Sequence, residues 1–133
     1  MSTTLDPFSG LDHTWVGDLT LTLRSPGGTA VKLFDRPGGV NNSGNNFCQT
    51  VLDDAGTSSI QTIAVADAPW TGTFQPAQPL AGFAGEASSG TWTVHATDAV
   101  LSDFGSIRAF SIDVSVRRDV GTSSPRLYAA WAP

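Results

Sequence analysis

The acidic residues are the side chains of this sequence that could do chemistry, and their best cluster lies in one part of the chain. Asp53 and Asp54 stand together after an apolar run, and Asp35 precedes an asparagine-rich loop close by in sequence. Calcium takes six to eight oxygen ligands, mainly carboxylates and carbonyls from loops. Asp35, Asp53 and Asp54 are therefore the candidate ligands of a calcium ion. Asp98 and Asp103, which flank a turn, are the second candidate pair.

A structural role is the alternative for the same acids. Aspartate readily accepts hydrogen bonds from the backbone N–H groups of its own turn, and none of these acids follows the spacing of an EF-hand loop. The two histidines, His13 and His95, fall on separate predicted strands without clustered carboxylates, which argues against a transition-metal site. We expect His13 to make local hydrogen bonds and His95 to face solvent.

A catalytic set cannot be assembled from the sequence. The tripeptide Gly121-Thr122-Ser123 is similar to the start of a subtilisin nucleophile motif, but Pro125 follows almost at once, where that motif continues into a helix. Motifs for the partner Asp and His are missing, as is a Gly-x-Ser-x-Gly elbow. The single cysteine, Cys48, cannot form an intrachain disulfide and is expected to be a small buried residue. We predict that this chain is not an enzyme.

Strands are the elements that must position these residues. Leu19, Leu21 and Leu23 alternate with polar residues, and side chains on a strand point alternately to opposite faces. Residues 25–28, Ser-Pro-Gly-Gly, end this strand, because proline has no ladder donor and glycine accepts turn dihedrals. Residues 29–34 are the predicted return strand of a hairpin. Further strands are predicted at residues 47–52, 59–66, 90–98 and 107–116, separated by a polar loop at 36–46, too polar to pack, and an irregular region at 67–89.

The last two predicted strands supply the rest of the core. Their inward-facing residues are Trp92, Val94 and Ala96 in one strand, and Phe110, Ile112, Val114 and Val116 in the other. No helical periodicity of useful length interrupts this pattern. We therefore predict an all-β fold, in which seven or eight antiparallel strands form a jelly-roll-like β-sandwich of two packed sheets.

Composition excludes several classes of partner. The chain has 133 residues, 40% of them hydrophobic, which suits one folded domain and not a disordered chain. Its net charge of -5 gives no basic surface for nucleic acid or for an anionic membrane. No segment reaches membrane-spanning length, and the first residues lack the pattern of a secretory signal. If the native protein is exported, we expect its signal to lie outside this chain.

Two sequence blocks resemble those of a known family. The first block runs from His13 through Thr14-Trp15-Val16-Gly17-Asp18-Leu19 to Ser25-Pro26 and Thr29. The second block contains Phe83, Gly85-Glu86, Gly90-Thr91-Trp92-Thr93-Val94, Asp98, Gly105, Ile107 and Phe110-Ser111-Ile112. In order and spacing both resemble the P domain, or Homo B domain, of proprotein convertases. The sequence Arg36-Pro37-Gly38-Gly39 and the proline-rich loop at 70–80 look more like its bacterial members.

The resemblance implies a jelly-roll β-sandwich at residues 11–116, between a lead-in at 1–10 and a tail at 117–133. It also implies a non-catalytic accessory domain of a secreted or cell-surface protein. The partner would be a subtilisin-like protease domain, a metalloprotease domain or another exported bacterial protein. In such proteins the domain is thought to stabilise its neighbour and to influence calcium and pH dependence. Asp18 and Glu86, at motif positions, are expected to accept backbone N–H groups or to pair with Arg24 or Arg108.

One departure from the family pattern concerns a strand. Family members normally have strand sequence before the first block, whereas this chain supplies about ten residues there. A missing strand would leave an unpaired sheet edge, which folded proteins avoid. We expect residues 127–131, Leu-Tyr-Ala-Ala-Trp, to dock on that edge. The alternative is that this sequence is an excised fragment or comes from a truncated gene.

A carbohydrate-binding or adhesive β-sandwich of a cell-surface protein is the alternative function. It rests on Trp15 and Trp70, which occur in turn-rich segments, and on the asparagine-rich loop. Two exposed, coplanar tryptophans would let a glycan stack on them. Burial of the two rings, the expected state of most tryptophans in a small sandwich, would exclude this function.

Overall fold

The strands form two sheets within the residues that the structure, a computed structural model, describes: residues 10–115 and 126–128. These residues contain no α-helix. The nine strands are β1 (Leu11–His13), β2 (Leu19–Arg24), β3 (Ala30–Asp35), β4 (Phe47–Leu52), β5 (Trp70–Phe74), β6 (Thr93–Asp98), β7 (Gly105–Ile107), β8 (Ser111–Asp113) and β9 (Arg126–Tyr128). Four 3-10 helices connect them: Val16–Asp18, Ile60–Thr62, Val65–Asp67 and Leu80–Phe83.

The larger sheet has the order β7-β1-β4-β9-β8, with β5 added to β4, and the smaller sheet has the order β3-β2-β6. The predicted all-β sandwich of two packed sheets is confirmed. The expectation that every pair is antiparallel is wrong at one place, because β4 and β5 run parallel. A parallel pair needs a crossover connection, and residues 53–69 provide it.

The β2–β3 hairpin forms as the leucine alternation predicts. Its turn is closed by hydrogen bonds from the Ser25 N–H to the Thr29 carbonyl at 2.9 Å and from the Gly28 N–H to the Ser25 carbonyl at 3.0 Å. Gly28 has a φ of 95°, which favours glycine. Leu19 and Leu23 are buried, so the predicted dry face of β2 does face the core.

The core lies between the two sheets. Its buried apolar members are Leu11, Val16, Leu19, Leu23, Val31, Leu33, Phe34, Phe47, Leu52, Ile60, Ile63, Trp70, Leu80 and Phe83. Trp92, Val94 and Ile112 pack against this cluster and are partly buried, in agreement with the predicted inward faces. The prediction is wrong for Ala96, which is exposed, and for Phe110, which is 47% exposed. The predicted strand at 107–116 is broken at residues 108–110, so Phe110 lies between β7 and β8 and not in a strand. Val116 lies outside the described residues.

The predicted strand at residues 59–66 is wrong. Two 3-10 helices occupy this segment, and the Ser59 hydroxyl accepts the Gln61 N–H at 3.2 Å to begin the first of them. Ile60 and Ile63 are both buried. Their spacing of three residues fits the three residues per turn of a 3-10 helix and not the period of two of a strand.

The asparagine-rich loop at residues 36–46 was expected to be too polar to pack, and this is also wrong. Asn42 and Asn46 are buried. The side chain of Asn42 donates to the Pro37 carbonyl at 2.9 Å and accepts from the Gly44 N–H at 3.0 Å. Buried polar groups are tolerated when they are hydrogen-bonded, so the asparagines let this loop fold into the body of the domain.

The tail contributes one described strand. The backbone of β9 pairs with both β4 and β8, so Leu127 and Tyr128 lie inside the larger sheet and not beside β6, the end strand of the smaller sheet. The rest of the predicted docking segment, residues 129–131, lies outside the described residues. So do residues 1–9 and the tripeptide Gly121-Thr122-Ser123.

Leu33→Ala should destabilise the domain by about 2–5 kcal/mol, because truncating a fully buried leucine removes apolar contacts and leaves a cavity. Leu101→Ala is the matched control, since Leu101 is 96% exposed and its truncation should change stability by less than about 0.5 kcal/mol. Urea unfolding of the two variants measures both effects. Equal losses of stability would show that Leu33 is not a core residue.

Candidate functional site

The pairing of β2 with β6 brings the two motif blocks together. These strands pair antiparallel over six residues without a register shift, from Leu19 opposite Asp98 to Arg24 opposite Thr93. The acidic residues of the second block therefore reach the two ends of β2. Asp98 lies at one end and Glu86 at the other, and each meets polar residues of the first block. We call Asp98 and Glu86 the ladder-end carboxylates.

At the first end, Asp98 binds His13. The Nε2 of His13 lies 3.2 Å from Oδ2 of Asp98, and Oδ1 accepts the Val100 N–H at 3.0 Å. Nδ1 of His13 lies 2.9 Å from the carbonyl oxygen and 3.1 Å from the backbone nitrogen of Trp15, so it can hydrogen-bond with either group according to its protonation. His13 is buried, as expected of a locally hydrogen-bonded histidine. A Cβ on Gly105 would lie 2.5 Å from the His13 ring, so the motif glycine leaves room for the histidine.

A groove of about 260 Å³ lies beside this pair. Ser106, His13 and Asp98 all line it. In a catalytic triad, residues of these types act as the nucleophile, the general base and the acid that orients the base. A general base needs a free ring nitrogen that reaches the hydroxyl. Both nitrogens of His13 are already engaged, by Asp98 and by the Trp15 backbone. The arrangement therefore suits a structural contact and not nucleophilic catalysis.

At the second end, Glu86 binds the turn of the β2–β3 hairpin. Its Oε1 accepts the Thr29 hydroxyl, and the carboxylate lies beside Ser25. These two hydroxyls, Ser25 first and then Thr29, lower the pKa of Glu86 because their hydrogen bonds favour the ionised form. Gly90 approaches the same turn so closely that a Cβ there would lie 2.7 Å from the Pro26 side chain. The motif Gly85-Glu86 thus holds the hairpin turn.

The expected ion pairs of Asp18 and Glu86 with Arg24 or Arg108 are not among the contacts of the described residues. Arg24 donates to the Gly28 carbonyl at 3.3 Å, and Arg108 forms an ion pair with Asp12. Asp18 is buried, and its backbone carbonyl accepts the Ala99 N–H at 3.0 Å, next to the His13–Asp98 pair. The backbone of Asp18 therefore helps to join β2 to the end of β6.

The three candidate calcium ligands each bind protein donors. Asp35 accepts the Thr20 hydroxyl at 2.9 Å and the Lys32 ammonium at 2.6 Å, and its pKa is lowered, chiefly by Lys32 and then by Thr20. Asp53 accepts the Ala55 N–H of its own turn at 2.9 Å. These are the roles that the structural alternative predicts for a strand-end acid.

Asp54 binds the start of a 3-10 helix. Its two carboxylate oxygens accept the N–H groups of Leu80 and Ala81 at 2.7 and 2.8 Å, which anchors the Leu80–Phe83 helix to the turn that follows β4. Among residues 10–115 and 126–128, no group of three or more His, Cys, Asp or Glu side chains is placed to hold a metal ion. Calcium binding by Asp35, Asp53 and Asp54 stays a prediction.

The second candidate pair of acids also makes contacts within the protein. Asp98 binds His13, and Asp103 accepts the Thr14 hydroxyl at 2.7 Å and the Ser102 hydroxyl at 3.1 Å. His95 is exposed, as predicted for the wet face of its strand. Asp98 and Asp103 do line one groove, but their described contacts are with neighbouring side chains and backbone.

The prediction that Trp15 and Trp70 form a sugar-stacking surface is wrong. Trp70 is 2% exposed, its Nε1 donates to the Ala64 carbonyl at 3.1 Å, and its ring centroid lies 5.2 Å from that of Phe47. Trp15 is half-buried and donates to the Val40 carbonyl at 3.0 Å. Because Trp70 is buried, the two tryptophans do not form an exposed pair on which a glycan could stack.

Asn46 is a structural residue that the sequence did not single out. It adopts a φ of 69°, its side-chain oxygen accepts the His13 N–H at 3.1 Å, and its carbonyl accepts the Trp70 N–H at 3.2 Å. Asparagine tolerates this left-handed conformation better than most residues. Its place directly before the strand β4 was the signal that could have marked it.

These features define the class of protein. Two packed sheets are joined by motif side chains that hydrogen-bond within the domain, and the described residues contain no catalytic set. No helix among them is long and apolar enough to cross a membrane. The sequence matches the family described as the proprotein convertase P-domain over residues 9–114.

The chain belongs to this family, since the match covers most of its length and contains both motif blocks. P domains are non-catalytic accessory domains, which agrees with the predicted lack of enzymatic activity. Comparisons with curated proteins and with solved structures found no match.

Glu86→Gln should lower stability at neutral pH and flatten the loss of stability in acid. In the folded domain the pKa of Glu86 lies below its ordinary, unfolded value, because the Ser25 and Thr29 hydroxyls favour the ionised form. Its contribution is therefore complete above that value and is lost as the pH falls through the folded pKa. Urea unfolding measured from pH 7 to pH 3 tests this expectation.

Asp67→Asn is the control for this series, because Asp67 is exposed in a separate part of the chain, in the 3-10 helix Val65–Asp67. Thr29→Val removes one donor to Glu86 and should act in the same direction as Glu86→Gln. The double variant should lose less than the sum of the two single losses, since both changes break one contact. An unchanged acid slope in Glu86→Gln would contradict the assignment.

Asp54→Ala should lower stability by about 1 kcal/mol, the usual cost of a lost helix cap. The loss should be the same with EDTA as with added calcium, because both oxygens of Asp54 bind backbone N–H groups. Thermal unfolding under the two conditions measures it, with Asp67→Ala as the control. A loss that appears only with calcium would support the calcium site instead.

Proposed function

We propose that this P domain binds beside the catalytic domain of an exported subtilisin-like protease and stabilises it. The observation that carries the proposal is that the family's motif side chains make structural contacts within the domain. His13 and Asp98 bind each other, and Glu86 binds the hairpin turn. Side chains that could do chemistry thus hold the sandwich together, which leaves its surface for binding a partner.

Exposed apolar surface supports a binding role. Monomeric soluble proteins rarely expose contiguous apolar patches of more than roughly a few hundred Å², and patches above that size mark interaction sites. Among the described residues, five of the seven exposed large hydrophobic side chains lie in one segment, between residues 100 and 110. They are Val100, Leu101, Phe104, Ile107 and Phe110. This clustering favours contact with another protein over an isolated, soluble existence.

Membership of the family supports the proposed partner and location. P domains are accessory to proteases, so the neighbour in the proposal is a serine endopeptidase domain acting outside the cytoplasm, in a secreted or cell-surface protein. Calcium would act at Asp35, Asp53 and Asp54 if it contributes. The hydrogen bonds of these acids favour a capping role, so the proposal does not depend on the ion.

Removal of the domain from the polypeptide that contains it should lower the melting temperature of the catalytic domain and reduce its maturation. The physical reason is that the module binds the folded catalytic domain and not the unfolded one, so losing its apolar contacts destabilises the folded state. Calorimetry and activity assays of the two proteins measure the effect. Leu33→Ala, which weakens this module without removing it, should give an intermediate result. Equal stability, maturation and activity with and without the module would contradict the proposal.

A further inference from the structure

The sandwich is open along one side. The end strand of the smaller sheet is β6, and one end strand of the larger sheet is β7. Both border the same groove, since Ala96 and Asp98 of β6 and all three residues of β7 line it. Within the part of the chain that the structure describes, neither strand pairs with another strand on its outer edge. The two free edges therefore face the same opening.

An apolar trough runs between these edges. One part is lined by Leu21 and Val94 of the smaller sheet and by Ile107 and Phe110, with no polar surface. The adjoining part, beside His13 and Asp98, is lined by Ala96 and Phe104. Leu11 and Ile107 line both parts, so the two lie side by side. We call this feature the open trough, with Leu11, Val94, Ala96, Phe104, Ile107 and Phe110 as its apolar residues.

The opposite edge of the smaller sheet is covered by the chain itself. Ala77 and Gln78 donate their N–H groups to the carbonyls of Leu33 and Lys32 in β3 at 2.7 and 3.0 Å. The Gln78 side chain accepts the Lys32 N–H at 2.7 Å. β3 is thus protected, and it also carries a lysine.

Among residues 10–115 and 126–128, none covers the outer edge of β6 in this way. Its sequence, Thr-Val-His-Ala-Thr-Asp, contains no lysine and no proline, and its pairing with β2 is free of bulges. Folded proteins usually block a flat edge with such features, because an unprotected edge is a template for another strand. An unprotected edge beside an apolar trough offers both the backbone groups and the apolar surface that an added strand needs.

The trough also lies where a neighbouring domain can reach it. A polypeptide that precedes Leu11 arrives at Gly10, whose carbonyl accepts the N–H groups of Arg108 and Ala109 at 2.9 and 3.4 Å. This point is next to Ile107 and Phe110. A domain connected on that side is held at high effective concentration near the trough.

We propose that the open trough binds an extended segment of the neighbouring catalytic domain, which adds a strand to β6. This inference rests on the proposed function. A strand matching the six residues of β6 spans about 20 Å and would place alternate apolar side chains against Val94, Ile107 and Phe110. Asp98 and Asp103 make one end of the trough acidic, so the segment should carry a basic residue there.

Hydrogen exchange of the β6 backbone tests strand addition directly. In the 133-residue chain, the amides of Thr93–Asp98 that point away from β2 should exchange quickly. In the longer polypeptide that contains the catalytic domain, they should slow by about tenfold or more, because they gain backbone acceptors. Amides of β3 serve as the control, since the chain already covers that edge. Fast exchange of β6 in both proteins would overturn the proposal.

Two substitutions test the apolar contacts. Phe110→Asp and Phe104→Asp place a charge in the trough at residues that are 47% and 81% exposed, so the isolated domain should keep its melting temperature. In the longer polypeptide, both should lower the melting temperature of the catalytic domain and restore fast exchange in β6. Val65→Asp is the matched control, because Val65 is 46% exposed and lies outside the trough.

The outcomes separate this inference from the proposed function. If removal of the module destabilises the catalytic domain but the trough variants do not, the module docks through another surface and the inference is wrong. If β6 is already protected in the 133-residue chain, and its protection rises with protein concentration, a second copy of the chain occupies the trough and the inference is also wrong.

Discussion

The antiparallel ladder between β2 and β6 is the constraint on which the rest of this structure depends. It joins two segments that are far apart in sequence, and a slip of one residue would turn the leucines of β2 toward solvent. The ladder-end carboxylates oppose such a slip, because Asp98 binds His13 at one end and Glu86 binds Thr29 at the other. Hydrogen bonds with an ionised partner are stronger than neutral ones. The polar motif residues therefore specify the register that apolar packing stabilises.

The alternation of apolar and polar residues was sufficient to predict a strand that has one buried and one solvent-exposed face. The leucines of β2 alternate without interruption, so its hairpin, its buried face and the two-sheet fold could be predicted from the sequence. The same method failed at residues 59–66, where Ile60 and Ile63 break the period of two. It also failed at Asn42 and Asn46, because hydrophobicity treats asparagine as exposed. Their burial depends on donors and acceptors from distant segments, such as the backbone of His13.

The candidate site shows a different limit of sequence reasoning. Acid pairs near loops are compatible with ion binding and with capping, and sequence spacing does not distinguish the two. Only the fold shows that Asp54 meets the N–H groups of Leu80 and Ala81, which lie beyond a parallel strand. In the same way, His13, Asp98 and Ser106 approach one groove, yet the ring of His13 is fully used by its other neighbours. Residue type alone therefore overstates the chemistry available to this domain.

The error at Phe110 has a physical cause that also concerns function. Alternation along a strand shows which side chains avoid water, but it does not show what covers them. Ile112 is covered by this chain, whereas Phe110 borders the trough and stays half exposed within the described residues. An apolar face that awaits another polypeptide and one that joins the chain's own core have the same sequence pattern. The predicted core and the observed core therefore differ beside the trough, where no described segment of this chain covers the Phe110 ring completely.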